Sequence, residues 1–290
     1  MQTILIPVDF GPLAYPSVYF GFDLARRLGA QLLLFHVVAP APPIPAGVMP
    51  LLDEPIRGSL LFDQMQTAMA ECAATVQQYR RQQGYLDVPF ETDVRVGPVV
   101  DTILHEAETA ICAGIIMGTT GATTRWQRCI GSVTSGVAQR VSRPLWIIPG
   151  PVSLQPIHSI AYFADLRGNE FSCIHRLLNL SSLLHARLEV VHVSPPDEAA
   201  LTVSEAFIQA FEQAMPADRL TFQHLAYDSV PGCLEAYVQR HQPDMLVLAH
   251  QDRTFLDTIF HKSLVRHVSL TARRLVLIIP KGPLVHHARA

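Results

Sequence analysis

The chain repeats itself, and the repeat limits its architecture more than any other feature. Ile160-Ala161-Tyr162-Phe163-Ala164-Asp165 echoes Ile4-Leu5-Ile6-Pro7-Val8-Asp9, and Val191-His192-Val193 echoes Phe35-His36-Val37 at the same offset. LVLIIP at Leu275–Pro280 echoes LWIIP at Leu145–Pro149 at a shorter offset. The shortening falls between the second and third apolar runs, where the first half carries a proline-rich loop, Pro40–Pro50. Self-similarity on this scale marks a duplicated domain. The boundaries expected are residues 1–150 and 156–281, with a linker near Pro149–Pro156.

Each copy alternates apolar runs with helical patterns. Thr3–Val8 reads as a strand ending in Asp9, and a helix with Pro12 and Pro16 near its start runs to Arg27 or Leu28 and stops at Gly29. Gln31–Val38 is almost unbroken in apolar character, as a strand buried on both faces must be. A helix from about Leu60 to Gln83 stops at Gly84. Pro89–Val96 reads as strand, Pro98–Ala110 as helix, Gly114–Met117 as strand, Ser132 to a point before Pro144 as helix, and Leu145–Ile148 as the fifth strand. Strands joined through helices make parallel neighbours. The fold expected is α/β: two tandem doubly wound domains, each a five-stranded parallel sheet of order 3-2-1-4-5 flanked by helices.

Composition narrows the partners. A net charge of −3 gives no basic surface for nucleic acid or an anionic membrane. The apolar span Leu32–Leu52 is interrupted by five prolines and cannot form a membrane helix. The N-terminus shows no signal-peptide pattern. The five cysteines form no CxxC and are expected to be free thiols of a cytoplasmic protein.

The stretch Met117–Ser135 carries the chemistry. Gly118 and Gly121 follow the strand run Ile115-Ile116-Met117, and Gly131-Ser132 opens the next helix, whose stripe is Val133, Val137 and Val141. Glycines let the backbone turn and approach a ligand closely. Main-chain N–H groups at a helix start, with the hydroxyls of Ser132, Thr134 and Ser135, form an anion site. No Asp or Glu occurs between Glu108 and Asp165, while Arg125, Arg128, Arg140 and Arg143 lie in that window. An acid-free, arginine-bearing stretch suits a polyphosphate; the simpler alternative is a strand-end turn followed by a helix entry.

Ligands of open parallel sheets sit beyond the carboxyl ends of the strands. Asp9, Val37 or Val38, and Gly118 fall at such ends. Asp9 is suited either to accept hydrogen bonds from a ribose or an adenine amine, or to cap the following helix. In the second copy Ala249-His250-Gln251-Asp252 and Lys262-Ser263 replace the glycine loop, so that site reads as degenerate.

On these residues the chain resembles a tandem universal stress protein of the UspA-like kind. The family's ATP-binding pattern, G-x2-G-x9-G-[ST], is met by Gly118, Gly121, Gly131 and Ser132, and the leading IPVDFG also matches. The resemblance implies ATP, with Mg²⁺ held mainly by the phosphates. It places the nucleoside on Asp9 and Val38 and the phosphates on the glycine loop with Ser132, and the cofactor-binding residues expected are Asp9, Val37, Val38, Met117, Gly118, Gly121, Arg125, Gly131, Ser132, Val133 and Thr134. It also implies an intramolecular pseudo-dimer through the last strands, or a homodimer.

No general base for water is found from Gly118 to Ser142, so at most slow ATP hydrolysis is expected and no catalytic residue is assigned. The alternatives are a slow ATPase or nucleotidyl-transfer enzyme, or a dimerised scaffold without nucleotide. His36 and His192 read as core histidines donating to main chain. Cys129 beside Arg128 is either a redox-sensitive thiol or an inert filler.

Overall fold

The computed structural model describes residues 1–11, 14–40, 54–109, 111–118, 131–149, 156–164, 170–194, 220–227, 230–250 and 274–280. They are α/β throughout, and they fall into two compact units, Met1–Gly118 with Ser132–Arg143, and Pro144–Ala290 grouped with Thr119–Gly131.

The first unit contains β1 (Thr3–Pro7), α1 (Ala14–Leu28), β2 (Gln31–Val38), α2 (Glu54–Gln82), β3 (Phe90–Val96), α3 (Val99–Thr109), β4 (Cys112–Gly118) and α4 (Ser132–Ala138). Its strands lie in the order β3-β2-β1-β4, each pair parallel. Alternate residues face opposite sides, as the period of a strand requires. Gly21 of α1 lies over Ile6 and Leu32, whereas Arg95 of β3 lies over the Phe35 ring and pairs with Glu106 of α3. Helices thus cover both faces, and Ile4, Leu5, Ile6, Leu32, Leu34 and Phe35 are fully buried between them. This is why β2 reads as a continuous apolar run rather than an alternating one.

The second unit holds β5 (Leu145–Ile148), β6 (Ser159–Ala164), α5 (Glu170–Leu184), β7 (Arg187–Ser194), β8 (Leu220–Ala226), α6 (Val230–His241), β9 (Met245–His250) and β10 (Leu275–Pro280). Its order is β5-β10-β9-β6-β7-β8. The pairs among β6 to β10 are parallel, and β5 runs antiparallel to β10 with Leu277 opposite Trp146. β5, expected as the fifth strand of the first sheet, is therefore grouped with the second unit. Thr3 to Ser159 and Gln31 to Arg187 are equal steps along the chain, while Phe90 to Leu220 is a shorter one. The difference arises between the second and third strands.

Several helix ends were legible and others were not. Gly29 (φ 62) and Gly84 (φ 70) take the left-handed conformation. The N–H groups of Ala30 and Tyr85 then reach back to the carbonyls of Ala25 and Arg80 at 2.9 Å, closing both helices. α2 starts at Glu54, not near Leu60, with Pro55 in its first turn, where a missing N–H is tolerated. β4 is longer than expected at both ends, and Ala110 and most of the Pro40–Pro50 loop lie outside the described residues.

The second unit repeats the α1 stop without its glycine. His185, the counterpart of Gly29, has φ 56, and Ala186 N–H donates to the Ser181 carbonyl at 2.8 Å. A left-handed side-chain-bearing residue costs about 1–2 kcal/mol, and glycine costs about 0.4–1 kcal/mol in the unfolded chain. His185→Gly is therefore expected to raise stability by about 0.5 kcal/mol, read as an upward shift of the urea midpoint. An unchanged or lowered midpoint would show that the His185 side chain contributes a compensating contact.

Candidate functional site

β1 lies between β2 and β4, with Leu5 level with both Leu33 and Ile115. The carboxyl ends of these three strands are therefore neighbours along one edge of the first unit.

Asp9 is exposed, two residues past β1. Its Oδ1 accepts the Gly11 N–H at 3.0 Å, and Ala14 N–H in turn donates to the Gly11 carbonyl at 3.0 Å. The carboxylate closes a turn on its own backbone. Because α1 begins only at Ala14, Asp9 is not seen capping it. Phe10 follows with φ 59, uncommon for a bulky residue, and its ring lies 4.5 Å from that of His36.

His36 Nδ1 lies 2.7 Å from the Val8 carbonyl, and His192 Nδ1 lies 3.0 Å from the Ala164 carbonyl. A carbonyl only accepts, so Nδ1 carries the proton in both rings. The expectation that these histidines donate to main chain holds in both halves.

Val37 and Val38 are buried at the end of β2, and the Val38 carbonyl accepts the Gly97 N–H at 3.0 Å. Gly97 was not anticipated; its only sequence signal is its place between β3 and Pro98. A side chain there would strike Thr102 Oγ1 at 2.5 Å, so glycine is required where α3 folds back.

Met117 is buried, and Gly118, half-buried, ends β4. The Thr134 hydroxyl donates to the Gly118 carbonyl at 3.2 Å, and Thr134 itself is buried. Its proton thus ties the helix start to the strand end. Gly131, half-buried, directly precedes α4; Ser132 is exposed and Val133 half-buried. Gly121 and Arg125 lie outside the described residues, as do Trp126 and Cys129.

α4 is only seven residues long, so Val141 of the expected stripe lies beyond it. Arg140 N–H bonds the Val137 carbonyl at 3.0 Å, tightening the last turn, and Pro144 disfavours continuation. So short a helix has a weak dipole. α4 is seated on α3 at Gly136, where a side chain would meet Val100 Cγ2 at 3.0 Å, and by the Arg140–Asp101 pair at 2.6 Å.

The described cysteines Cys72, Cys112, Cys173 and Cys233 are buried free thiols. Burial pushes the Cys112 thiol up to about 11, against a smaller lowering by the Gly114 backbone, and pushes Cys233 to about 11. Both stay protonated near neutrality and are poor nucleophiles. Among the described residues no group of three or more His, Cys, Asp or Glu side chains is placed to hold a metal. Nor, among the described residues, is any helix long and apolar enough to cross a membrane. In the second unit, Ala249 and His250 end β9; Asp165, Asp252, Lys262 and Ser263 lie outside the described residues.

A mostly parallel sheet covered on both faces by helices, with an acidic turn and a glycine-preceded helix start beyond its strands, defines an α/β protein of the open parallel-sheet class. The universal stress protein family model matches residues 1–149, and the chain belongs to that family. A universal stress protein from Archaeoglobus fulgidus DSM 4304 is similar in fold, with a TM-score of 0.70 and 14% identity, over 97% of this chain and 98% of that one. A functionally unknown protein from Pseudomonas aeruginosa PAO1 is similar with a TM-score of 0.60 and 13% identity, over 97% of this chain and 92% of that one. None of the curated proteins compared matches the chain.

Proposed function

We propose that the first half of the chain binds ATP with Mg²⁺, one nucleotide per chain, and that the protein is a nucleotide-dependent regulator of a stress response. The observation that carries this reading is the Thr134–Gly118 hydrogen bond. It holds the end of β4 against the start of α4, the two ends of the segment that runs from Gly118 to Ser132. That segment has the spacing G-x2-G-x9-G-S and no carboxylate, the composition a triphosphate requires.

On this reading Asp9 and the main chain at Val37 and Val38 hold the nucleoside beside Met117. Gly118, Gly121, Gly131, Ser132 and Val133 offer main-chain or hydroxyl donors to the phosphates, with Arg125 adding charge and Thr134 bracing the loop. Mg²⁺, which favours phosphate oxygens and retained waters, is held chiefly by the nucleotide. The same reading treats residues 1–150 and 156–281 as tandem universal stress protein domains, the second with a degenerate site.

Freshly purified protein passed through gel filtration is expected to retain nucleotide identifiable by mass, and calorimetry on stripped protein to give one site. Two equivalent sites would refute the stoichiometry. No retained nucleotide together with no heat of binding would refute the reading.

A further inference from the structure

We infer that His36 and Phe10 are positioning residues that hold the Asp9 carboxylate in its ligand-facing geometry; the inference rests on the nucleotide reading of that edge. Asp9 sits between two residues pinned by one imidazole. On one side the Val8 carbonyl accepts from His36 Nδ1 at 2.7 Å, which fixes the peptide plane leading into Asp9. On the other, Phe10 is turned into a left-handed conformation, φ 59, and its ring lies over His36 at 4.5 Å with a tilt of 37°.

The turn is completed when Asp9 Oδ1 takes the Gly11 N–H at 3.0 Å. A side chain at Gly11 would itself approach Asp9 Oδ1 to 3.2 Å, so the residue that donates is also one that leaves the carboxylate room. Left-handed aromatic residues are strained and persist only where surrounding contacts over-determine them. Here the contact is the His36 ring, which is itself oriented by its bond to Val8.

An independent observation is the recurrence of the histidine bond. In the second unit His192 Nδ1 meets the Ala164 carbonyl at 3.0 Å, and the residue after Ala164 is again an aspartate in the sequence. Both copies therefore tie the second strand to the carbonyl immediately before that aspartate. A histidine needed only as apolar filler would not have to direct the same nitrogen to the same carbonyl twice.

The test is ATP affinity by calorimetry on the full chain for wild type, His36→Leu, His36→Asn, Phe10→Gly, Asp9→Asn and the Asp9→Asn/His36→Leu double variant. Leu keeps the bulk of the ring and loses the donor, whereas the Asn side-chain amide places a donor close to where Nδ1 stood. Loss of one directing hydrogen bond is expected to weaken ATP roughly tenfold in His36→Leu. His36→Asn is expected to remain within about threefold of wild type. Phe10→Gly, which relieves the φ strain, is expected to weaken ATP roughly tenfold with no loss of thermal stability.

In the Asp9→Asn background, His36→Leu is expected to have little further effect, because it acts through that carboxylate. Equal losses from His36→Leu with and without Asp9 would show a merely structural role and overturn the inference. So would wild-type affinity in both His36→Leu and Phe10→Gly. If His36→Leu does not fold, Phe10→Gly alone decides: wild-type affinity in it overturns the inference. Absence of binding by the wild type would instead overturn the nucleotide reading, and the inference with it.

Discussion

Gly131→Val is expected to abolish measurable ATP binding, at least about a hundredfold loss, while far-ultraviolet circular dichroism and the urea midpoint stay close to wild type. The physical reason is crowding. Gly131 directly precedes α4, whose first residue, Ser132, is exposed, so a phosphate held there must approach bare backbone. A β-branched side chain occupies the volume that the phosphate oxygens need and restricts the backbone that presents the amides. Because an anion site built from main chain has no side chain to delete, adding one is the sharper experiment.

Gly136→Ala supplies the control. Its new methyl group meets Val100 Cγ2 at 3.0 Å, so it disturbs the α3–α4 contact. It should lower stability modestly and leave affinity nearly unchanged. Equal affinity in Gly131→Val and wild type would contradict the assignment of the loop.

The largest expected effect on stability is that of Phe22→Ala. Phe22 is fully buried on α1, and its ring meets Tyr85 at 5.5 Å and Tyr79 and Phe90 at 6.1 Å. It thus joins α1 to the end of α2, to the turn after it and to the edge strand β3. Around it Tyr19 stacks on Tyr79 at 3.8 Å and the Arg26 guanidinium lies 4.2 Å from the Tyr85 ring centre. Burial of Tyr79, with smaller effects from Tyr85, Tyr19 and Asp23, pushes its hydroxyl up to about 12, as expected for a packed phenol.

Truncating a buried phenylalanine costs about 3–5 kcal/mol, against about 5–15 kcal/mol for the whole stability of a typical domain. Urea unfolding followed by circular dichroism should show the transition of the first unit moving to much lower denaturant. Phe22→Leu, which refills most of the volume, should recover more than half of the loss. A drop below about 1 kcal/mol in Phe22→Ala would mean that the four rings collapse into the space left behind.

Much of the architecture could be read from residue order because the signals were local. Gly29 and Gly84 announced helix stops, since only a residue free of Cβ strain reaches φ 62 or 70 without cost. Unbroken apolar runs announced strands covered on both faces. His36 and His192 stand in matching apolar runs, and an equivalent histidine–carbonyl bond appears in both halves. The candidate site was legible only in outline. Its glycines and Asp9 stand out by type and spacing, whereas Phe10 and Gly97 matter through neighbours distant in the chain.

The failures have the same explanation. Asp9 carries the signature of a helix cap, yet its carboxylate turns to Gly11 because α1 starts too far downstream. Thr134 reads as one more phosphate donor, yet its proton is given to Gly118. α4 stops at Ala138, where the Arg140 N–H closes on the Val137 carbonyl ahead of Pro144, which the apolar stripe through Val141 does not record.

From the sequence alone came the alternation of strand and helix, the parallel pairing and the glycine spacing, because periodicity, φ preference and burial act over a few residues at a time. Only the tertiary structure decided which carbonyl each histidine holds and what conformation Phe10 adopts. Those depend on groups brought together across dozens of residues, where geometry and not residue type determines which partner is in reach.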